Sequence, residues 1–352
     1  MIVFFPTYAR RIPGEKRWRA TVAGMISRPL PPKSHRRTLA IGVLKRLLEL
    51  DETHLQSAVF QRRADAFLFQ RVAGERVQIT LGGRQIDAGY SDRVGHFQRS
   101  IDLEEAEVDA LAESAGGCRW LRYEAGVAAD DVGFDGQPAP AASAAGWIHI
   151  IPEEGMSVIT DIDDTVKVTN VANRRELLAN TLLRDFYAVP GMAEVYRRWK
   201  EAGTPFHYVS SSPWQLATCL GRFFHDAGLP AGSMHLKLFR LKDSTPLGRL
   251  PSRKRSKRRT IEQIMADFPR RKFLLVGDSG ERDPEVYTAV ACRYPDRVAG
   301  VAIRQVEGKQ SREKVRTRLD RLGRRLPGGC LHVFTEAVEL ATLVPAAFGP
   351  AG

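Results

Sequence analysis

Through residues 1 to 154 the apolar positions come in short runs, several of them alternating with polar ones as a half-buried strand requires. The runs Arg19–Ile26, Val77–Leu81, His96–Leu103, Trp120–Val127 and Trp147–Ile151 are candidate strands. Between the first two, Ile41, Leu44 and Leu48, then Leu55 and Val59, recur at three- to four-residue spacing and predict helix. Asp102 and Glu105 are placed to form a capping box for a short helix ending before Gly116-Gly117. This half reads as a mostly β, sandwich-like domain with a helical insertion. It carries neither an acidic constellation nor a phosphate loop.

The period changes after residue 154. A stretch rich in Ala, Gly, Pro and Asp, residues 128 to 146, predicts a long surface loop, and the Pro152-Glu153-Glu154-Gly155 turn marks the boundary between domains at 1–154 and 155–352. Beyond it, apolar runs at Met156–Ile162, Phe206–Ser210, His235–Phe239, Lys272–Gly277, Val298–Ile303 and Leu331–Phe334 alternate with helical stretches. That order predicts an α/β domain with a parallel sheet and crossover helices. One helix is expected to start at Pro190 and close at Gly203, with Met192, Val195, Tyr196 and Trp199 on its apolar side. Another, Lys309 to Leu326, has Val315, Leu319, Leu322 and Leu326 on one stripe, expected to pack on the sheet.

The candidate chemistry sits at the carboxyl ends of these runs, where open α/β sheets bind ligands. Val158-Ile159 leads into Asp161-Ile162-Asp163-Asp164-Thr165; Asp161 and Asp163, two residues apart on an extended backbone, are expected to face one side. Carboxylates held so close resist ionising together, and a hard divalent cation removes the conflict. The run Phe206–Val209 leads into Ser210-Ser211-Ser212-Pro213, a hydroxyl-rich turn expected to open a helix and suited to a phosphate oxygen. Phe273–Val276 leads into Gly277-Asp278 and on to Asp283, and Lys257 lies between these two motifs, able to neutralise phosphoryl charge. A calcium loop starting at Asp161 is excluded, because Val166 and Ala172 stand where glycine and a bidentate glutamate are needed.

Composition narrows the setting. Four cysteines, Cys118, Cys219, Cys292 and Cys330, are far apart and argue against a zinc site or disulfide framework. No run of apolar residues is long enough to span a bilayer, and the first six residues are too short for a signal-peptide core, so a cytoplasmic protein is expected. The net charge of +12 points to an anionic partner, lipid headgroup or nucleic acid. Much of the excess lies in Arg249–Arg259, with seven basic residues and no acid, and in Arg304–Arg325, with nine basic residues against three acids.

Taken in order, Asp161-Ile162-Asp163-Asp164-Thr165, Ser210, Lys257 and Gly277-Asp278 to Asp283 resemble the four motifs of the haloacid dehalogenase superfamily of phosphohydrolases. More narrowly, Ser157–Thr169, Tyr208–Pro213 and Phe268–Tyr287 resemble the catalytic domain of the actin-patch-protein type phosphatidate phosphatases, over roughly residues 145 to 305. The resemblance implies a Rossmann-like parallel sheet and a magnesium-dependent phosphatidate phosphatase, with Asp161 as nucleophile through an aspartyl-phosphate. It implies Asp163 as acid and base, Ser210, Ser211 and Lys257 around the phosphate, and Thr165 fixing the turn by bonding to the backbone. Mg2+ would be held by Asp161, the Asp163 carbonyl and Asp278, with Asp283 behind them on a metal-bound water. Asp164, Lys167 and Thr169 receive no role. About 45 residues separate Asp163 from Ser210, leaving no room for a large lid, so an anionic phospholipid at a membrane surface fits the site. The competing readings are a phosphatase for a nucleic-acid end or soluble metabolite, and a catalytically silent adaptor for anionic lipid.

Overall fold

Alternation of more and less buried positions organises the first half of the chain, as in the pattern along Arg76–Leu81, whereas unbroken burial organises the second, as along residues 156–160. The computed structural model describes residues 2–31, 33–115, 117–127, 144–170, 174–237, 253–306, 311–341 and 343. They divide into two units: Met1–Val43 with Ala64–Pro152, and Leu44–Arg63 with Glu153–Gly352.

In the first half the elements are β1 (Ile2–Phe4), β2 (Thr7–Arg11), β3 (Arg17–Pro29), α1 (His35–Leu48), α2 (Glu52–Gln56), α3 (Ala58–Phe67), β4 (Phe69–Arg71), β5 (Arg76–Leu81), β6 (Arg84–Tyr90), β7 (His96–Glu104), α4 (Glu105–Leu111), β8 (Glu113–Ala115), β9 (Cys118–Val127) and β10 (Ala144–Ile150). The strands form one sheet with the path β1-β3-β2-β10-β9-β5-β6, to which β4 and β7 add on β3 and β8 on β9. Its pairings are antiparallel except β10 with β2. One face buries Ala20, Val22, Ile79, Leu121 and Ile148 in a single core. All five expected strands are present; β1, β2 and β6 were not legible because they are short or charged. The β5–β6 hairpin did leave a signal in Gly82-Gly83, both at positive φ (56° and 82°), the backbone that a two-residue hairpin turn demands.

The expected capping box does not form. Asp102 lies inside β7, where its carboxylate accepts from Arg19 on the paired strand at 2.7 and 2.9 Å, and α4 begins after Glu104 with no side-chain cap. Strand register took the residue that local sequence assigned to a helix start.

The second half runs β11 (Gly155–Thr160), α5 (Arg174–Leu182), α6 (Met192–Glu201), β12 (Phe206–Pro213), α7 (Ala217–Asp226), β13 (Ser233–Lys237), α8 (Arg253–Asp267), β14 (Arg271–Asp278), α9 (Asp283–Arg293), β15 (Val298–Arg304), α10 (Arg312–Gly323) and β16 (Leu331–Phe334). Among the described residues six strands form its sheet, all parallel, in the order β13-β12-β11-β14-β15-β16. The chain works outward from β11 to β13, then returns to the other side of β11 and works outward again. That is a Rossmann-like doubly wound sheet, and its direction reverses between β11 and β14, where such sheets open a crevice at their carboxyl edge. In α6 the expected residues Met192, Val195, Tyr196 and Trp199 are buried; the helix itself begins after Gly191, at φ 77°, so Pro190 precedes it instead of filling its first turn. Val315, Leu319 and Leu322 of α10 are buried as expected. Residues 238–239, 249–252 and 307–310, parts of the expected strand, basic run and helix, lie outside the described residues, as does most of the expected 128–146 loop.

Arg271, at the start of β14, is 2% exposed. Its Nε donates to Ser157 Oγ at 2.8 Å, and its guanidinium also donates to the carbonyls of Glu154 and Met156, fastening the entry of β11 to β14. Burial pulls its pKa down to about 10, and the cation stays charged at neutral pH. Replacing it with Met strands those acceptors in the interior. Arg271→Met is expected to lower stability by about 2–4 kcal/mol, read as a shift in the urea unfolding midpoint monitored by circular dichroism.

Candidate active site

At the reversal point β11 ends at Thr160 and β14 at Asp278, so Asp161 and Asp278 emerge side by side into the crevice. Asp161 is held there by its own N–H, which donates to the Val276 carbonyl at 2.9 Å. Asp283 opens α9 and joins them: one carboxylate oxygen from each of Asp161, Asp278 and Asp283 lies within 4.8 Å of the others. Gly277 makes the approach of Asp283 possible. A Cβ there would stand 2.4 Å from Asp283 Oδ2 and 2.7 Å from the Tyr287 ring, so any side chain would displace the acid.

Lys257, on α8, reaches into this cluster. Its Nζ donates to Asp283 Oδ1 at 2.5 Å, lies 3.0 Å from Asp161 Oδ1, and sits 5.7 Å from the centroid of the Tyr287 ring. Burial works against the ammonium, but Asp161 and Asp283 prevail and raise its pKa. The carboxyl pKa values rise as well, which disfavours their charged form. Burial lifts the pKa of Asp161, Lys257 opposes the lift, and the neighbouring acids add to it; for Asp278 burial and Asp283 act together. Asp278 Oδ1 accepts from the N–H groups of Gly280 and Glu281, at 2.6 and 3.2 Å, which leaves its other oxygen turned to the cluster.

The donor set fits a divalent cation on two counts. Asp278 Oδ2 and Asp283 Oδ2 are buried with no hydrogen-bond donor, and Asp161 Oδ1 has the ammonium beside it but no donor in hydrogen-bonding geometry. Three carboxylates against one ammonium also leave two negative charges uncompensated in a buried site, and hard oxygen ligands suit magnesium or calcium.

Asp163 has partners of its own. It stands where the backbone enters the turn at residues 164–166, and its carboxylate meets a different set from that of Asp161. Oδ1 takes the Lys167 ammonium and the Thr169 hydroxyl, both at 2.8 Å; Oδ2 accepts from Ser210 Oγ at 3.1 Å and Ser212 Oγ at 2.5 Å. Burial raises its pKa, but Lys167, Ser212 and Thr169 outweigh burial and hold it at about 2.

Several residues without an assigned role find one here. Asp164 adopts φ 53°, and its Oδ1 accepts from the N–H groups of Thr169 and Asn170 at 2.7 and 2.8 Å, folding the loop back so that Lys167 and Thr169 reach Asp163. Arg318, on α10, donates to the carbonyls of Ser279 and Glu281 at 2.9 and 2.8 Å and pairs with Glu285, clamping the loop that aims Asp278. Ser212 was legible from strand alternation, since it shares a face with Ser210. Arg318 left no such signal, because nothing in a helix sequence tells which arginine meets a distant loop.

Ser210–Ser212 are strand and not turn: β12 continues through an irregularity to Pro213, and the helix they lead into begins as a 3-10 turn, Trp214–Leu216, that runs into α7 at Ala217. The Thr165 hydroxyl, expected to brace the turn, is buried without a hydrogen-bond partner; backbone bonds and Asp164 do that work. Ser211 is half-buried between its two inward-facing neighbours.

Fold and site together define a Rossmann-like domain with a carboxylate and lysine cluster at its switch point. Residues 156–305 match the family described as phosphatidate phosphatase APP1, catalytic domain, a stretch that is less than half of the chain. An uncharacterized protein of Schizosaccharomyces pombe is 34% identical over 163 residues, 45% of this chain and 26% of that protein. Phosphatidate phosphatase APP1 of Saccharomyces cerevisiae is 33% identical over 178 residues, 49% of this chain and 30% of that protein. The chain thus spans less than a third of the length of these relatives. Among solved structures, a carbohydrate esterase family 2 enzyme of Corynascus thermopiles aligns over 97% of this chain and 96% of its own, at 12% identity and a TM-score of 0.23, too low to carry any argument.

The depressed pKa of Asp163 links this loop to stability. Its folded value of about 2 lies below the ordinary 3.8, so the ionised form contributes stability above pH 4, and that contribution falls away as pH drops toward 2. Lys167→Met removes the cation and leaves a buried lone carboxylate, at an expected cost of about 3–5 kcal/mol at neutral pH. The Lys167→Met/Asp163→Asn pair is expected to recover part of that loss. Urea denaturation of the three proteins at pH 7 and pH 3 reads both effects.

Proposed function

We propose that residues 155–352 form a magnesium-dependent phosphomonoester hydrolase of the haloacid dehalogenase type, and that its substrate is phosphatidate, cleaved to diacylglycerol and phosphate. The observation that carries the reading is the buried cluster of Asp161, Lys257, Asp278 and Asp283 at the switch point, inside the segment that matches the phosphatidate phosphatase family.

Asp161, Asp278 and Asp283 are the residues that would hold Mg2+, with the Asp163 carbonyl as a further oxygen donor. Bound there, the ion supplies positive charge that keeps the Asp161 carboxyl ionised against its burial and offsets charge gathering on the phosphoryl group. Asp161 then attacks phosphorus: a carboxylate oxygen bonds to it while the ester P–O bond breaks, giving an aspartyl-phosphate and the free alcohol. Asp163 gives its proton to the leaving oxygen and afterwards takes one from the water that attacks the aspartyl-phosphate, releasing phosphate and restoring Asp161. Lys257, already an ion partner of Asp161, binds an equatorial phosphoryl oxygen.

The surroundings of Asp163 suit the second half of this cycle, since a carboxyl held at about 2 is a base at neutral pH. In the first half Asp163 carries the proton, and Ser210, whose hydroxyl donates to Asp163 at 3.1 Å, would turn with Ser211 to the phosphate. The relative from Saccharomyces cerevisiae carries phosphatidate phosphatase in its name, and among the described residues no lid domain stands between Asp163 and Ser210, which would admit a headgroup that stays at a bilayer surface.

Phosphate release from phosphatidate in mixed micelles is expected to require Mg2+ and to fall by about 10^3-fold or more in Asp161→Asn. Asp163→Asn is expected to cause a comparable loss, and Ser210→Ala a smaller one with a higher KM. Release from soluble phosphomonoesters alone would reassign the substrate. No release from any phosphomonoester would remove the hydrolase reading.

A further inference from the structure

Helix α1 has apolar residues on two opposite sides. Ile41, Leu44 and Leu48 fall on one stripe and are buried or half-buried, as a core-facing stripe should be. Leu39 and Val43 lie on the other side and are 72% and 58% exposed. At about 100° per residue, Leu39 and Val43 share a single arc with His35, Arg36 and Arg46, all exposed, so two apolar knobs are flanked by basic residues. The helix contains no acid. Its other two cations face elsewhere: Arg37 is buried and paired with Asp65 at 2.7 Å, and Lys45 pairs with Glu52 at 2.7 Å.

We propose that the outer face of α1 is a docking surface for an anionic phospholipid bilayer, with Leu39 and Val43 entering the headgroup boundary and Arg36 and Arg46 meeting lipid phosphates. Charge complementarity alone would admit nucleic acid as well. The exposed pair decides between them, because a phosphate backbone is read by cations and gains little from leucine and valine, whereas a bilayer rewards apolar side chains seated between basic ones. The proposal does not rest on the hydrolase reading, since it concerns binding to lipids that carry no phosphomonoester.

The test is cosedimentation of the full chain with phosphatidylcholine vesicles, alone or with about one part in three phosphatidylserine. With no phosphatidate present, the vesicles offer the active site no phosphomonoester. The wild type is expected to prefer the anionic vesicles by about tenfold or more, and Leu39→Ser/Val43→Ser to lose about tenfold in partition. Arg36→Gln/Arg46→Gln is expected to lose most of the preference for phosphatidylserine. Leu39→Trp is expected to bind anionic vesicles more tightly than wild type at an unchanged thermal unfolding midpoint, which decides the matter if the serine variant misfolds. Hydrolysis of a soluble phosphomonoester is expected to be the same in all of them. Equal binding of wild type to neutral and anionic vesicles would overturn the proposal, as would vesicle binding unmoved in every variant. So would retention by duplex DNA that the arginine substitutions abolish and the serine substitutions leave intact.

Discussion

A lysine ammonium buried among three buried carboxylates is stable only because the fold brings the charges together from four separate places, and most of the second unit serves that convergence. Lys257 comes from α8, Asp161 from the end of β11, Asp278 from the end of β14 and Asp283 from the first turn of α9. One positive charge is not enough for three negative ones away from water. The cluster is therefore under electrostatic tension of the kind a divalent cation would relieve, and the lifted pKa values of Asp161 and Asp278 express that tension in proton affinity.

Asp163 shows the opposite solution two residues away. A lysine, a threonine and two serines surround it, and its charge is satisfied by the protein alone. The two acids of one short motif thus sit in different electrostatic environments, one awaiting a cation and the other provided with one. Separate chemical roles for neighbouring carboxylates follow from such a difference in surroundings. The left-handed Asp164 is what divides them, because its backbone turn and its bonds to the N–H groups of Thr169 and Asn170 deliver Lys167 to Asp163 and keep it from the cluster.

The supporting contacts lie one layer out. Tyr287 lies beside Lys257, Arg318 fixes the loop after Asp278, and Arg271 ties the two central strands together at the end away from the chemistry. Each is a large side chain whose polar atoms end on backbone carbonyls or buried partners. Precision at the carboxyl edge depends on these contacts as much as on the acids themselves.

The order of apolar runs and helices was enough to predict a doubly wound parallel sheet, because strands buried on both faces are continuous in hydrophobicity and the helices between them are periodic. The acids at the ends of the first and fourth of those runs were visible for the same reason: a carboxylate that abruptly ends a buried strand has nowhere to go but the sheet edge. Strands as polar as β2 and β6 escaped notice, since the pairing that makes them strands comes from distant segments. Which acid faces which cation was decided only in three dimensions. Asp161 and Asp163 read as neighbours along an extended backbone, and their surroundings make them different; Lys167 had no role along the sequence and Arg318 was one cation of a basic run, and packing makes one a buried ion partner and the other a clamp. Sequence determines where a charge enters the fold through local hydrophobic pattern, whereas the partner of that charge depends on contacts between residues up to more than a hundred positions apart, which no local pattern encodes.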